Sequence, residues 1–229
     1  MMRYIWRPSR VAFLAAGLVL LSHPAWARPI TVGSISTEPA AEVKKFVPLA
    51  SYLAGQLHPE GIDQGKVAVA KSIPEMASFL REGKVDLYID SPFPAMVVSR
   101  LSGSKFLLRR WKKGVAEYHA VIFTHQDSGI DRLEELRGRT VAFEEPFSSS
   151  GYFVPKAILR QQGLRLAPKR DASDPVGPSE VGYVFSYADE NTMLWVLRGA
   201  VSAGAMDDQS YLKEGRGDLS HLKVIYKSF

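Results

Sequence analysis

Beyond residue 27 the chain alternates short apolar runs with longer amphipathic ones, in the order strand, helix, strand, helix. Ile30 to Ile35 has the period-two pattern of a strand. Pro39 to Leu57 is helical in pattern and is predicted to bend or divide at Pro48, whose ring removes a backbone donor. Lys66 to Ala70 is a further strand. Ser72-Ile73-Pro74-Glu75 then reads as a capping box, with a hydroxyl acceptor, an early proline and a glutamate three residues on; its helix stops at Gly83. Val85 to Ile89 returns as a strand, and Ser91 and Pro92 open the next helix as N-cap and first position.

The second half repeats this grammar without repeating the sequence. Tyr118 to Thr124 is a strand, Asp127-Ser128-Gly129 a turn, Leu133 to Leu136 a short helix and Thr140 to Phe143 a buried strand. A helix from Tyr152 to Gln162 ends at Gly163. Residues 167–180 form a polar loop rich in proline and glycine. Val181 to Phe185 (strand), Asn191 to Leu197 (helix), the apolar Ala200 to Met206 and the strand Leu222 to Tyr226 complete the chain. Alternation of this kind predicts an α/β protein with mostly parallel strands, arranged as two lobes.

The first 27 residues fall outside this pattern. Arg3, Arg7 and Arg10 precede an apolar core from Val11 to Leu21, and Ala25-Trp26-Ala27 is a small-x-small cleavage site, so residues 1–27 are expected to be an export signal cut after Ala27. An apolar run this short is a poor membrane span, which needs roughly 20 residues. The formal charge of +5 belongs partly to this segment, since losing its three arginines leaves +2. With no cysteine there is no disulfide, thiolate metal site or thioether lipid. A free periplasmic protein is expected. The one dense basic run, Arg109 to Lys113, reads as a solvated loop; without an accompanying motif it does not indicate nucleic acid.

The candidate chemistry lies where the strand at 140–143 turns into the following helix. Ser148, Ser149 and Ser150 fall there with Gly151 and Tyr152, where unpaired amides and the helix dipole favour an anion. The simpler alternative is that one serine caps the helix. No Gly-x-Ser-x-Gly elbow or histidine accompanies the serines, which argues against nucleophilic catalysis. His119 and His125 do not have metal-ligand spacing, and neither a metal nor a cofactor is expected. Glu144 and Glu145 are expected to face solvent; the alternative is that one accepts a hydrogen from a protonated ligand group.

Several stretches in order resemble the periplasmic substrate-binding proteins of phosphate, phosphite and phosphonate ABC transporters. They are Thr37-Glu38-Pro39 with Phe46 to Leu53, Gly83 to Leu87, Glu117 to Ile122, Asp127 to Gly138, and Ser148 to Tyr152. In that family the last motif is usually Ser-Thr-Ser-Gly-Tyr; Ser149 keeps the hydroxyl where threonine is common. The resemblance implies a bilobed periplasmic-binding-protein fold of type II kind, closing on its ligand about a hinge. Lobe one would comprise 29–117 plus 208–229, and lobe two 119–206. It implies a small oxyanion ligand held by Ser148, Ser149, Ser150, Gly151 and Tyr152 from one side. Asp90, Ser91 and Thr37 would face them, with Tyr118, Glu190 and Asp207 as further candidates. The implied partner is an inner-membrane ABC permease, served by a monomer; a ligand sensor signalling to a membrane partner is the alternative. Two departures stand out: Ser202 where relatives carry an acid, and Tyr187 to Asn191 where they carry a histidine turn. Relatives also extend beyond the strand resembling Leu222 to Tyr226, so a shortened lobe one is expected.

Overall fold

A computed structural model describes residues 28–112, 114–216 and 219–229. The expected export segment, residues 1–27, lies outside them. Two sheets form the framework. The first has three parallel strands in the order β2-β1-β3: β1 (Arg28–Ile35), β2 (Ile62–Ala70) and β3 (Leu87–Tyr88). Helix α1 (Pro39–Gln56) runs on through Pro48, and helices α2 (Ile73–Arg81) and α3 (Pro92–Ser102) complete lobe one. Gly65 permits close contact between β2 and α1, because a Cβ there would lie 2.2 Å from the Ala50 backbone. The Ser72 hydroxyl accepts from the Glu75 amide, which is half of the expected capping box; the Glu75 carboxylate accepts from the amide of Lys71, one residue before the N-cap, and not from that of Ser72.

The second sheet has six strands in the order β6-β7-β5-β8-β4-β9. They are β4 (Ala120–His125), β5 (Thr140–Phe143), β6 (Arg165–Pro168), β7 (Glu180–Phe185), β8 (Ala203–Asp207) and β9 (Leu222–Lys227). Strands β5 to β8 are mutually parallel, while β4 runs antiparallel to β8 and β9. Helices α4 (Val154–Gln161), α5 (Asp189–Leu197) and α6 (Asp208–Glu214) belong to this lobe. Its core includes Ile122, Val141, Phe143, Leu159 and Val181, all essentially inaccessible to solvent.

The C-terminal strand corrects one expectation. It does not return to lobe one: β9 pairs with β4 from Val121 opposite Lys227 to His125 opposite Leu222. Leu222 and Tyr211 are buried with Val121, Phe123 and Met206, so the apolar faces of 208–229 are satisfied by lobe two. The physical reason is that β4 offers an open flank with unpaired backbone groups.

Three elements differ from the sequence expectation in extent. β3 is reduced to two residues, β6 occupies the start of the polar loop, and a π-helical turn at Ser149–Phe153 precedes α4. Among the described residues no helix is long and apolar enough to cross a membrane.

Candidate functional site

Strands of both lobes end at the same cleft. Ser36 follows β1, Asp90 follows β3, and Glu144 follows β5, which places them at the carboxyl ends where parallel sheets present ligand-binding groups. The cleft encloses a cavity of about 170 Å³. From lobe one its wall takes Ser34, Ser36, Glu42, Lys45, Asp90 and Ser91; from lobe two it takes Glu144, Glu145, Ser148 and Ser150. Arg110, Lys112 and Tyr118 contribute from the connecting segment.

Of the residues expected to bind ligand, Asp90, Ser91, Tyr118, Ser148 and Ser150 line this cavity. The others have different work. Ser149 reaches across the cleft: its hydroxyl accepts from the Phe93 amide at 2.9 Å and donates to the Ser91 hydroxyl at 3.0 Å. Ser91 occupies the N-cap position of α3 but makes no capping bond of its own, so a serine of lobe two caps a helix of lobe one. Thr37 donates to the Glu145 carboxylate at 3.1 Å, also between lobes. The Gly151 amide is engaged by the Ser148 hydroxyl at 2.9 Å. Tyr152 turns into the lobe-two core against Phe143 and Phe185 and bonds Lys156. Glu190 is exposed and pairs with Arg216. Asp207 is buried, caps α6 through Ser210, and holds Lys112 at 2.6 Å.

The lobes are in contact. Phe147 of lobe two inserts among Ile35, Met76, Ala77 and Val98 of lobe one. Phe93 stacks on Phe153 with ring centroids 3.5 Å apart. This is a closed arrangement of the two sheets.

Two features of the wall correct the sequence expectation. The basic run is not simply solvated, since Arg110 and Lys112 line the cavity; Lys112 is anchored by backbone bonds with Val115 and by Asp207. Nor do Glu144 and Glu145 face away. Glu144 accepts from the Ser148 hydroxyl at 2.6 Å. Burial, reinforced by Asp189, pushes the Glu144 carboxyl up to about 7. Glu145 is likewise raised to about 7, by burial first and then by Glu144. Burial also raises Asp90, against bonds from Tyr88 and Ser91 that favour its charge. Burial opposes the charge of Lys112, but Asp207 outweighs it and the ammonium is held more firmly than usual. Among the described residues no cluster of three histidine or acidic side chains could hold a metal.

The wall thus offers hydroxyls, three cations and four carboxylates. No histidine is among the residues that line the cavity. The family of periplasmic substrate-binding proteins of phosphonate ABC transporters matches residues 32–229. The chain belongs to this family. The phosphonate-family protein resembles the phosphate-import protein PhnD of Mycolicibacterium smegmatis at 25% identity, over 87% of this chain and 62% of that protein. The tetrathionate sensor histidine kinase TtrS of Salmonella typhimurium is 30% identical over 71% of this chain and 27% of the kinase. The chain therefore spans less than two thirds of either. Among solved structures, XAC2383 of Xanthomonas citri bound to chloride matches with 26% identity and a TM-score of 0.80, over 87% of this chain and 73% of that one. The same protein bound to ATP matches at 25% identity and 0.78, over 87% and 72%. Members of the family are periplasmic and serve ABC transport as binding proteins with the bilobed fold.

Proposed function

We propose that the chain captures a small oxyanion of the phosphate, phosphite or phosphonate class between its lobes and delivers it to an inner-membrane ABC permease. The observation that carries this reading is the interlobe cavity, lined by the Ser150 hydroxyl and by Arg110, whose guanidinium lies over the Phe46 ring at 6.0 Å and makes no ion pair among the described residues. Those groups remain available to an anion. Its volume of about 170 Å³ lies below the roughly 300–1,000 Å³ typical of drug-sized ligands. A tetrahedral oxyanion suits this closed form, whereas the ATP bound by XAC2383 is far larger. Four or five charge-assisted hydrogen bonds, each about 1.5–3 kcal/mol, less the cost of desolvation and closure, give about −8 kcal/mol, or micromolar affinity.

Calorimetry and thermal shift with phosphate, phosphite and methylphosphonate test the proposal. Saturating ligand raises the melting temperature by mass action; no heat and no shift with any of them would remove this ligand class. The identity with TtrS supports a second reading, a periplasmic sensor whose bound state is read by a membrane protein. Ligand-dependent crosslinking to a membrane kinase, with none to a permease, would favour it.

A further inference from the structure

The hydrophobic core of lobe one contains one side chain that does not belong to lobe one. Ile35, Ala70, Met76, Ala77, Val85 and Val98 are buried together, and the seventh member is Phe147 of lobe two, 8% exposed. Local sequence explains how it gets there. The Ser148 amide donates to the Glu145 carbonyl at 3.1 Å, closing a turn whose second position is Pro146 and whose third is Phe147. Proline fixes φ at the second position of such a turn. The base of the turn is tied as well, because the Glu144 amide donates to the Gly151 carbonyl at 3.2 Å. Phe147 is therefore carried on a preformed tip by lobe two alone, ready to enter lobe one.

The contacts between the lobes differ in what opening does to them. The bonds of Ser149 to Phe93 and Ser91, and of Thr37 to Glu145, join polar groups that water can serve once the lobes part. Water offers nothing equivalent to Phe147. Opening would leave its ring in solvent and a hollow in a core where Met76 and Val98 have no exposed surface. We propose that Phe147 is an apolar latch: a positioning residue that favours closure by its own burial, so that the closed form is populated before any ligand arrives. The latch rests on the contact of the lobes and holds whichever ligand the cleft takes. It has a consequence for recognition, since a membrane partner that reads closure alone would engage the empty protein too.

Phe147 also borders the interlobe cavity, so affinity alone does not separate a latch from a ligand contact. The distribution of forms without ligand does. The chain has no cysteine, which lets dyes be placed at Gln56→Cys on α1 and Gln161→Cys on α4, both exposed, for single-molecule energy transfer on the exported protein. The parent is expected to show a closed population of about one molecule in ten without ligand, and saturating phosphate should take closure toward completion. Phe147→Ala should lower the ligand-free closed-to-open ratio at least about tenfold, as expected for exposing a phenylalanine ring. Phe147→Leu, which keeps an apolar plug, should retain most of it.

No closed population in the parent overturns the latch, and that measurement needs no change at Phe147. An unaltered distribution in Phe147→Ala overturns it too, whether or not the melting temperature falls. Weaker phosphate binding with an unaltered ligand-free distribution would make Phe147 a ligand contact instead. Absence of phosphate binding counts against the oxyanion reading, and the ligand-free distributions then decide the latch separately.

Discussion

Replacing Ser149 with alanine separates closure of the lobes from contact with the ligand. Its hydroxyl accepts the Phe93 amide of α3 and donates to Ser91, and both partners lie in the opposite lobe. Losing a helix N-cap acceptor costs about 0.5–2 kcal/mol, and the bond to Ser91 adds about 0.5–1.5 kcal/mol. Because an open form exposes Phe93 N–H to water, the loss of about 1–3 kcal/mol falls on the closed form alone. That corresponds to a weakening of ligand binding by about 5–150-fold. Calorimetry with phosphate gives the affinity, and hydrogen exchange of the Phe93 amide reports the cap directly. In Ser149→Ala the affinity falls and Phe93 exchanges faster; in Ser150→Ala the affinity falls while Phe93 exchange without ligand is unchanged. Full protection of Phe93 and affinity within twofold in Ser149→Ala would refute the cap across the cleft.

Further tests address the rest of the wall. Gly151→Ala should lower the melting temperature by displacing Glu144 and Ser148, a loss of about 1–3 kcal/mol typical of overpacking; an unchanged melting curve would contradict the close approach. Arg110→Ala should weaken anion binding at least tenfold, while Arg109→Ala, which lies outside the cavity wall, changes it little. Equal effects in isothermal titration would mean that only general charge matters. Stability should depend on pH through Glu144 and Glu145, whose folded carboxyls titrate near 7 rather than at the ordinary 4.5. Between those values the folded chain holds more protons than the unfolded one, so stability falls as pH rises from about 5 toward 7 and beyond. Glu144→Gln should flatten that decline in denaturant melts, and an unaltered pH profile would argue against a buried carboxyl.

Local signals in the sequence carried far into the fold. Thr140 to Phe143 matches β5 residue for residue because all four side chains are buried, and Ser72 caps its helix through the Glu75 amide as the local spacing requires. Signals that depend on distant partners did not carry as far. Nothing within Arg109 to Lys113 reveals that the connecting segment folds back, so Arg110 and Lys112 read as solvated although they line the cavity. Ser148 to Tyr152 was legible as a motif but not in its division of labour. Ser149 caps a helix that begins 57 residues earlier, and Tyr152 fills the core. The place of β9 was hidden for a similar reason, since alternation along Leu222 to Tyr226 marks a strand without saying which sheet has a free edge.

The size of the cavity has a consequence for hydration. A volume of about 170 Å³ has room for about five or six waters at roughly 30 Å³ each. On the oxyanion reading proposed above, capture is an exchange of a handful of solvent molecules for one anion, among groups that already demand strong bonds. A tetrahedral anion returns an acceptor for each donor it dries. A long alkyl substituent would strip water from Glu42 and Asp90 and offer them nothing, so on that same reading solvent displacement, as much as attraction to the anion's oxygens, limits the size of the ligand.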